Sequence, residues 1–392
     1  MSSIEPPTHS EDIGTFNNIA YVRHRGQFRG ATDAKREYSV PYEITVPKNP
    51  AEGQQVFVFE PPHITSGLVA RDSLLGAQFL FGNGYSHASC GFGNRAGHIL
   101  NPRFELKIAG DSITLPPNSQ EEVSDINIIQ EFAAELRQSK SNLFGEVQRV
   151  YATGFSDSGK TIHNIYNAFG HKSFDLTVAG TAPYVAPINV KDQSPIMVLN
   201  TEKDFDHRAA PNRNFPKYRY YAIAGGPHIP DAVLTRKVFE GPFPAAIAGT
   251  TPINWLLIAR ALFKAGDEWI RNGKQPPPNA VFKLGSKGEI LRDDRLNALG
   301  GIRHPALELG EARFIASVDR NGWDLFGGYE NPRRLTNGEF PGYLRSFTNA
   351  TDALRDAGYL LSEGHARLIR EAQLSPPNTY TLNYRDGLLL RN

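Results

Sequence analysis

The eight residues Gly154-Phe155-Ser156-Asp157-Ser158-Gly159-Lys160-Thr161 hold two kinds of chemistry in one string. As G-x-x-x-x-G-K-T they spell a phosphate-binding loop. There, backbone N–H groups and a lysine hold phosphate oxygens while a hydroxyl holds magnesium. As a glycine-bounded turn they lift a serine hydroxyl, Ser156, out of the chain as a nucleophile. Both arrangements sit between a strand and a helix, so residues elsewhere must decide.

A phosphate loop needs a partner, an apolar strand ending in aspartate, to complete the metal site. Asp175 stands at the start of the strand-like run 174–179, which is the wrong end, and the run 195–200 leads into Asn200-Thr201-Glu202-Lys203-Asp204. Phosphate loops also follow the first strand of their domain, and here several strand-like runs come earlier.

A serine hydroxyl is a weak nucleophile near neutral pH. It needs a base, and the base needs an acid to orient it. In one recurrent order the serine comes first, then the acid, then a histidine, each after a strand. Ser156 follows the strand-like run 147–153. Asp204 follows 195–200, with Glu202 as the alternative acid and Asp206 as a weaker one. His228 follows 218–224, and of eleven histidines it alone sits on such a loop in that order. An oxyanion formed at the reacting carbonyl needs two backbone N–H groups. The first expected donor is Asp157, next after the serine and at a helix N-terminus. The second belongs to the loop after 55–60. Pro61 and Pro62 have no N–H, which leaves Glu60 or His63, with Glu60 ranked first.

The elements that must position these groups follow from periodicity. Tyr38–Pro47 alternates like a strand, and the runs 55–60 and 85–90 are short and bounded like buried strands. Helical spacing marks 73–81 and 123–139, the latter through Ile126, Ile129, Phe132 and Leu136. Ile162, Ile165 and Phe169 mark one face of a helix after the focal string. Strands alternating with helices imply a mostly parallel sheet flanked by helices. A long helix spans 253–272, closed by Gly273, with Trp255 and Trp269 expected mostly in the core. Residues 275–340 are rich in Gly, Pro and Arg, and two further helices fall near 341–357 and 363–373. The expected organisation is a flexible tail over 1–16, a catalytic core over 17–232, and a helical, loop-rich region over 233–392 that packs on the core as a possible lid.

The chain has 392 residues, with 42 basic and 41 acidic residues and a net charge of +1. That balance excludes a general nucleic-acid or membrane-surface binder, which needs a basic excess. The single cysteine, Cys90, permits no internal disulfide and fits a reducing compartment. The stretch Met1–Thr15 lacks the apolar run of a secretion signal, and no stretch reaches the roughly 18 apolar residues of a membrane span. A cytoplasmic protein is expected. His87, Cys90 and His98 have no spacing that suits a metal, so no metal site is expected. Gly91-Phe92-Gly93 has the wrong spacing for a dinucleotide loop.

At this point the sequence resembles the α/β-hydrolase-domain family whose elbow reads G-[FY]-S-x-S-G-[RK]. Gly154–Lys160 is similar to that elbow, although the usual serine elbow, G-x-S-x-G, has glycine where Ser158 stands. Asn83-Gly84-Tyr85 is similar to the family's G-Y-A-x-V segment, and Thr201-Glu202-Lys203-Asp204 to its acid loop. Trp269-Ile270-Arg271-Asn272-Gly273 with the following prolines is similar to a W-x-x-x-G-x-x-P-P signature. Gly300-Gly301-Ile302-Arg303-His304-Pro305 is similar to G-G-I-R-x-P. The resemblance runs from about residue 40 to 375, and the last two motifs have no place in a phosphate-loop protein. It implies an α/β-hydrolase fold and a serine-esterase reaction class, not a substrate. Taken with the order of Ser156, Asp204 and His228, the leading expectation is a serine hydrolase acting on a small-molecule ester or lactone, with no metal or cofactor. Arg303 and His304 are candidates to line the pocket if the C-terminal region roofs it. Two other readings remain: a phosphate-loop nucleotide binder and a non-catalytic binding module of the same fold.

Overall fold

The computed structural model describes residues 2–31, 37–61, 75–91, 106–108, 111–113, 125–138, 143–169, 174–182, 194–207, 215–229, 251, 253–317, 325 and 327–374. The chain divides into two compact units, Met1–Ile196 and Met197–Asn392. The boundary expected after residue 232 rests on a change of composition and falls outside the described residues.

The first unit is built on a sheet. Its strands are β1 (Ser3–Ile4), β2 (His9–Phe16), β3 (Ile19–Ala31), β4 (Glu37–Pro47), β5 (Val56–Phe59), β6 (Ser86–Cys90), β9 (Arg149–Phe155) and β10 (Leu176–Gly180), with a separate small hairpin of β7 (Leu106–Ile108) and β8 (Asp111–Ile113). The spatial order is β1-β3-β4-β6-β5-β9-β10, with β2 on β3. The N-terminal strands pair antiparallel. From β6 onward the pairs β6-β5, β5-β9 and β9-β10 are parallel. Parallel strands need crossovers. α1 (Ala77–Gly82) lies in the β5–β6 connection, α2 (Asp125–Gln138) precedes β9, and α3 (Asp157–Phe169) links β9 to β10.

The expectation of a flexible tail over 1–16 does not hold. β2 turns into β3 through Asn17 and Asn18, both at positive φ (45° and 69°). Asparagine tolerates that region, and two such residues make the tight turn that matches strand twist. β1 then adds to the far end of β3 at Phe28 and Arg29. The strand runs 38–47, 55–60, 85–90, 147–153 and 174–179 match β4, β5, β6, β9 and β10 within a few residues.

Strand side chains alternate between the two faces of the sheet. One face is apolar: Phe28, Tyr42, Ile44, Phe59, Ala88 and Ala152 pack with Ile129, Phe132 and Leu136 of α2 and with Ile162 and Ile165 of α3. The Phe132 ring meets Phe28 edge-on at 5.1 Å. The other face holds a buried polar row. Arg25 lies opposite Glu43, which lies opposite Ser89, and Arg23 lies opposite Thr45, which lies opposite His87. Glu43 is gripped by Arg25 Nε at 3.1 Å, with Arg23 Nε at 3.4 Å. Burial raises the Glu43 carboxyl above its usual range, and the two guanidiniums pull the other way. Among the described residues neither ring nitrogen of His87 has a hydrogen-bond partner, and burial pushes this ring down to about 3. Cys90 is buried on the apolar face, and burial pushes its thiol up. His98 lies outside the described residues.

In the second unit, β11 (Ile196–Thr201) and β12 (Tyr218–Ile223) are neighbours. Parallel bridges add Ala280 beside Tyr221 and Ile302 beside Ile223. Between those bridges the chain folds into an antiparallel ribbon, pairing Phe282 with Gly300, Leu284 with Ile290 and Arg292 with Ala298. This is what the Gly- and Arg-rich texture builds. α4 (Leu256–Asn272) ends at Gly273 with φ 70°, as its position predicts. Trp255 and Trp269 are buried, as expected, and Arg219 stacks 5.2 Å over the Trp269 ring. The short α5 (Pro305–Glu308), the hairpin β13 (Arg313–Ile315) and β14 (Gly328–Glu330), and the paired helices α6 (Phe340–Asp356) and α7 (Ser362–Leu374) complete the unit.

Arg303 and His304, expected as candidates to line a pocket, are fasteners inside this unit. Arg303 bonds Glu308 and Asp293, each at 3.0 Å, and the carbonyls of Ala298 and Leu307. His304 Nδ1 caps α5 by accepting from the Ala306 N–H at 3.2 Å. Its burial pushes the ring down to about 4. Among the described residues no helix is long and apolar enough to cross a membrane.

Candidate active site

Ser156 sits where β9 ends and α3 begins, with φ 59°. Left-handed backbone is strained for a residue with a Cβ, and strain of this kind gathers at functional sites. The turn is tight enough to need glycine on both sides. A Cβ on Gly154 would stand 2.5 Å from the Ser158 carbonyl oxygen, and one on Gly159 would stand 2.5 Å from that of Gly180. Helix and strands therefore touch backbone to backbone at these two positions.

Ser158 occupies the place where the usual elbow has glycine, and its hydroxyl does a job glycine cannot. Its Oγ accepts from the Phe155 N–H at 2.8 Å and donates to the Phe155 carbonyl at 2.8 Å. The Ser156 N–H donates to two acceptors on the neighbouring strand end, Gly180 O at 3.0 Å and Thr181 Oγ1 at 3.0 Å.

This geometry removes the phosphate-loop alternative. Such a loop must turn its N–H groups toward the ligand. Here the Phe155 and Ser156 N–H groups are bonded inward, and the Lys160 N–H closes the first turn of α3 on Ser156 O at 2.9 Å. Thr161, which would hold magnesium, is buried at 1% exposure, and Lys160 points into solvent.

The second unit brings together two of the other candidates. Asp204 follows β11 in a turn closed by its N–H on Thr201 O at 3.1 Å, and its carboxylate is buried. His228 follows β12. Its Nδ1 lies 2.8 Å from Asp204 Oδ1 and 2.9 Å from Oδ2. A carboxylate only accepts, so Nδ1 carries the proton and a neutral ring presents Nε2 as a lone pair. Thr201 Oγ1 donates to Asp204 Oδ2 at 2.8 Å, which fixes the carboxylate from behind.

The loop carrying His228 is held at several points. Gly225 takes φ 66°, the indole N–H of Trp255 donates to Pro227 O at 3.0 Å, and the Ile229 N–H donates to Leu325 O at 3.1 Å. Glu202, the alternative acid, is employed differently. It accepts from the Gly225 N–H at 2.8 Å and pairs with Arg292 at 2.8 Å. It supports the loop and leaves the imidazole to Asp204.

Of the two expected oxyanion donors, Asp157 opens α3, and the first N–H groups of a helix have no acceptor within it. Glu60 does not fit. Its N–H donates to Ala88 O at 3.0 Å, continuing the β5-β6 ladder past the last strand residue, and its carbonyl accepts from Ser89 Oγ at 2.7 Å. Its buried carboxylate accepts from Thr153 Oγ1 at 3.2 Å, so Glu60 ties β5 to β9. His63, the other residue considered, lies outside the described residues.

Sequence reasoning did not find Thr181, Trp255 as a loop anchor, or the bracing role of Ser158. Only the last carries a signal, a hydroxyl where the usual elbow has glycine.

A family model described as alpha/beta hydrolase domain matches residues 117–370. Among solved structures, the ferulic acid esterase from Streptomyces cinnamoneus aligns with a TM-score of 0.43 at 13% identity, over 65% of this chain and 91% of that one. An alpha-beta serine hydrolase homologue from Coxiella burnetii aligns at 0.32 and 13%, over 54% and 93%. A mutant of the rice cell wall degrading esterase LipA from Xanthomonas oryzae aligns at 0.29 and 11% over 46% of this chain, which covers 50% of that esterase's length. No curated protein matches the chain.

Proposed function

Because this chain belongs to the alpha/beta hydrolase domain family, we propose that it is a serine hydrolase that cleaves a carboxylic ester or lactone through an acyl-enzyme. The observation that carries the reading is the buried Asp204–His228 pair, in a chain whose Ser156 is strained at the head of a helix.

Ser156 Oγ attacks the carbonyl carbon while His228 Nε2 takes its proton. Asp204 holds the ring in that tautomer and stabilises the imidazolium. The electron pair of the carbonyl bond moves to oxygen, and the Asp157 N–H with the N-terminal dipole of α3 stabilises the oxyanion. Collapse breaks the bond to the alcohol, which leaves with the proton from His228. Water then attacks the acyl-enzyme, giving its proton to His228, and Ser156 leaves with that proton restored. The substrate is a small molecule, and the steps require no cofactor.

Turnover of a short-chain aryl ester tests this reading. Wild type hydrolyses it, Ser156→Ala loses at least about a thousandfold in kcat, and full turnover in Ser156→Ala would refute the proposal.

A further inference from the structure

We propose that Thr181 is a positioning residue for the nucleophile, acting through the peptide plane that precedes Ser156. The proposal rests on the reading of Ser156 given above.

Thr181 follows the last residue of β10, is buried, and has φ 43°. A β-branched residue rarely adopts left-handed backbone, where its Cβ and both branches crowd the main chain. Glycine would adopt it without strain. Backbone strain of this kind gathers at functional sites. What the threonine contributes here is an acceptor: Oγ1 lies 3.0 Å from the Ser156 nitrogen and shares its N–H with Gly180 O.

The other end of the same peptide unit is held as well. Its carbonyl belongs to Phe155 and accepts from Ser158 Oγ at 2.8 Å. One rigid plane thus has its N–H gripped by β10 through two acceptors and its C=O gripped by the first turn of α3 through a hydroxyl. The direction of the Ser156 side chain is set by rotation about its N–Cα bond relative to that plane. Fixing the plane leaves the φ of Ser156 as the remaining freedom on this side, and that angle sits at a strained value that an unpinned plane would relax. Loss of the Thr181 acceptor lets the plane tilt and carries Oγ away from its line of attack. An error well below 1 Å suffices, since misplacement of about 1 Å costs on the order of a hundredfold in rate.

The test uses three substitutions in the full chain. Thr181→Val keeps the shape and strain and removes the acceptor. Thr181→Ser keeps the acceptor and removes the branch. Thr181→Gly removes both acceptor and strain. For each, the rate of Ser156 acylation by a fluorophosphonate, kcat and KM for an aryl ester, and the thermal midpoint are measured. Thr181→Val and Thr181→Gly are expected to lose roughly tenfold to a hundredfold in acylation rate and kcat with KM little changed. Thr181→Ser keeps the wild-type rates, and Thr181→Gly keeps or raises the thermal midpoint. A purely structural residue would show activity following stability. Should Thr181→Val fail to fold, Thr181→Gly carries the test. Wild-type acylation rates in Thr181→Gly overturn the proposal, as does a loss in Thr181→Ser equal to that in the glycine variant. If wild type itself takes no label at Ser156, the hydrolase reading fails and the positioning role fails with it. Labelling of wild type and Thr181→Gly at equal rates removes only the positioning role.

Discussion

His228 Nδ1 faces the carboxylate of Asp204 almost symmetrically, 2.8 Å from one oxygen and 2.9 Å from the other. Glu202, two residues earlier, faces the Gly225 N–H and Arg292. Two carboxylates on one loop therefore have separate tasks, and mutation separates them. Asp204→Asn should lower kcat on the order of ten-thousandfold, because an amide can donate to Nδ1 and favour the wrong tautomer. Glu202→Gln should leave kcat within about tenfold and cost about 1.5–3 kcal/mol in urea unfolding, the contribution of one charge-assisted bond. Reversed effects would move the acid to Glu202.

Lys160→Ala should leave ester turnover unchanged, since its side chain lies in solvent on the first turn of α3. The same variant and wild type should show equal, background hydrolysis of ATP with magnesium. Magnesium-dependent hydrolysis that disappears with the lysine would revive the phosphate loop.

Much of this was legible in the sequence because burial in a parallel sheet leaves short apolar runs, and the runs 147–153, 195–200 and 218–224 lead within a few residues into Ser156, Asp204 and His228. The order of Ser156, Asp204 and His228 could be read from strand ends alone. Glu60 could not. The sequence gives the end of a strand only to within a residue or two, and one residue decides whether an N–H faces solvent or the ladder. The N-terminal strands were missed because two adjacent asparagines, Asn17 and Asn18, carry the turn that a glycine would have advertised. The role of Thr181 depends on a positive φ at a β-branched residue, which no propensity anticipates.

Gly159→Ala should destabilise the protein and abolish activity together. Its new Cβ would stand 2.5 Å from the Gly180 carbonyl and 2.9 Å from that of Gly154. Both are backbone atoms of the strands flanking the turn, so the helix must move. Overpacking of this sort costs roughly 1–3 kcal/mol. Urea unfolding and ester turnover on the same sample check it, and a fully active, equally stable variant would contradict the close packing of α3.

Stability should fall in mild acid. Burial lowers His87 to about 3 and both His163 and His304 to about 4. In the unfolded chain each returns to about 6.5. Between those limits the unfolded state binds more protons, so stability is full above about pH 6.5 and declines as the pH falls. The slope approaches about 1.4 kcal/mol per pH unit for each ring. Urea midpoints across this range measure it. His87→Leu, which also removes two buried nitrogens that have no partner among the described residues, should flatten the decline without loss of stability at neutral pH. A pH-independent midpoint would mean that these rings are not buried.

In the proposed mechanism Ser156 is acylated. The direct measurement is peptide mapping by mass spectrometry after reaction of the folded chain with a fluorophosphonate. A single adduct on Ser156 is expected, absent in Ser156→Ala and formed far more slowly in His228→Ala. An adduct on another residue, or none on Ser156 in folded wild-type protein, would contradict it.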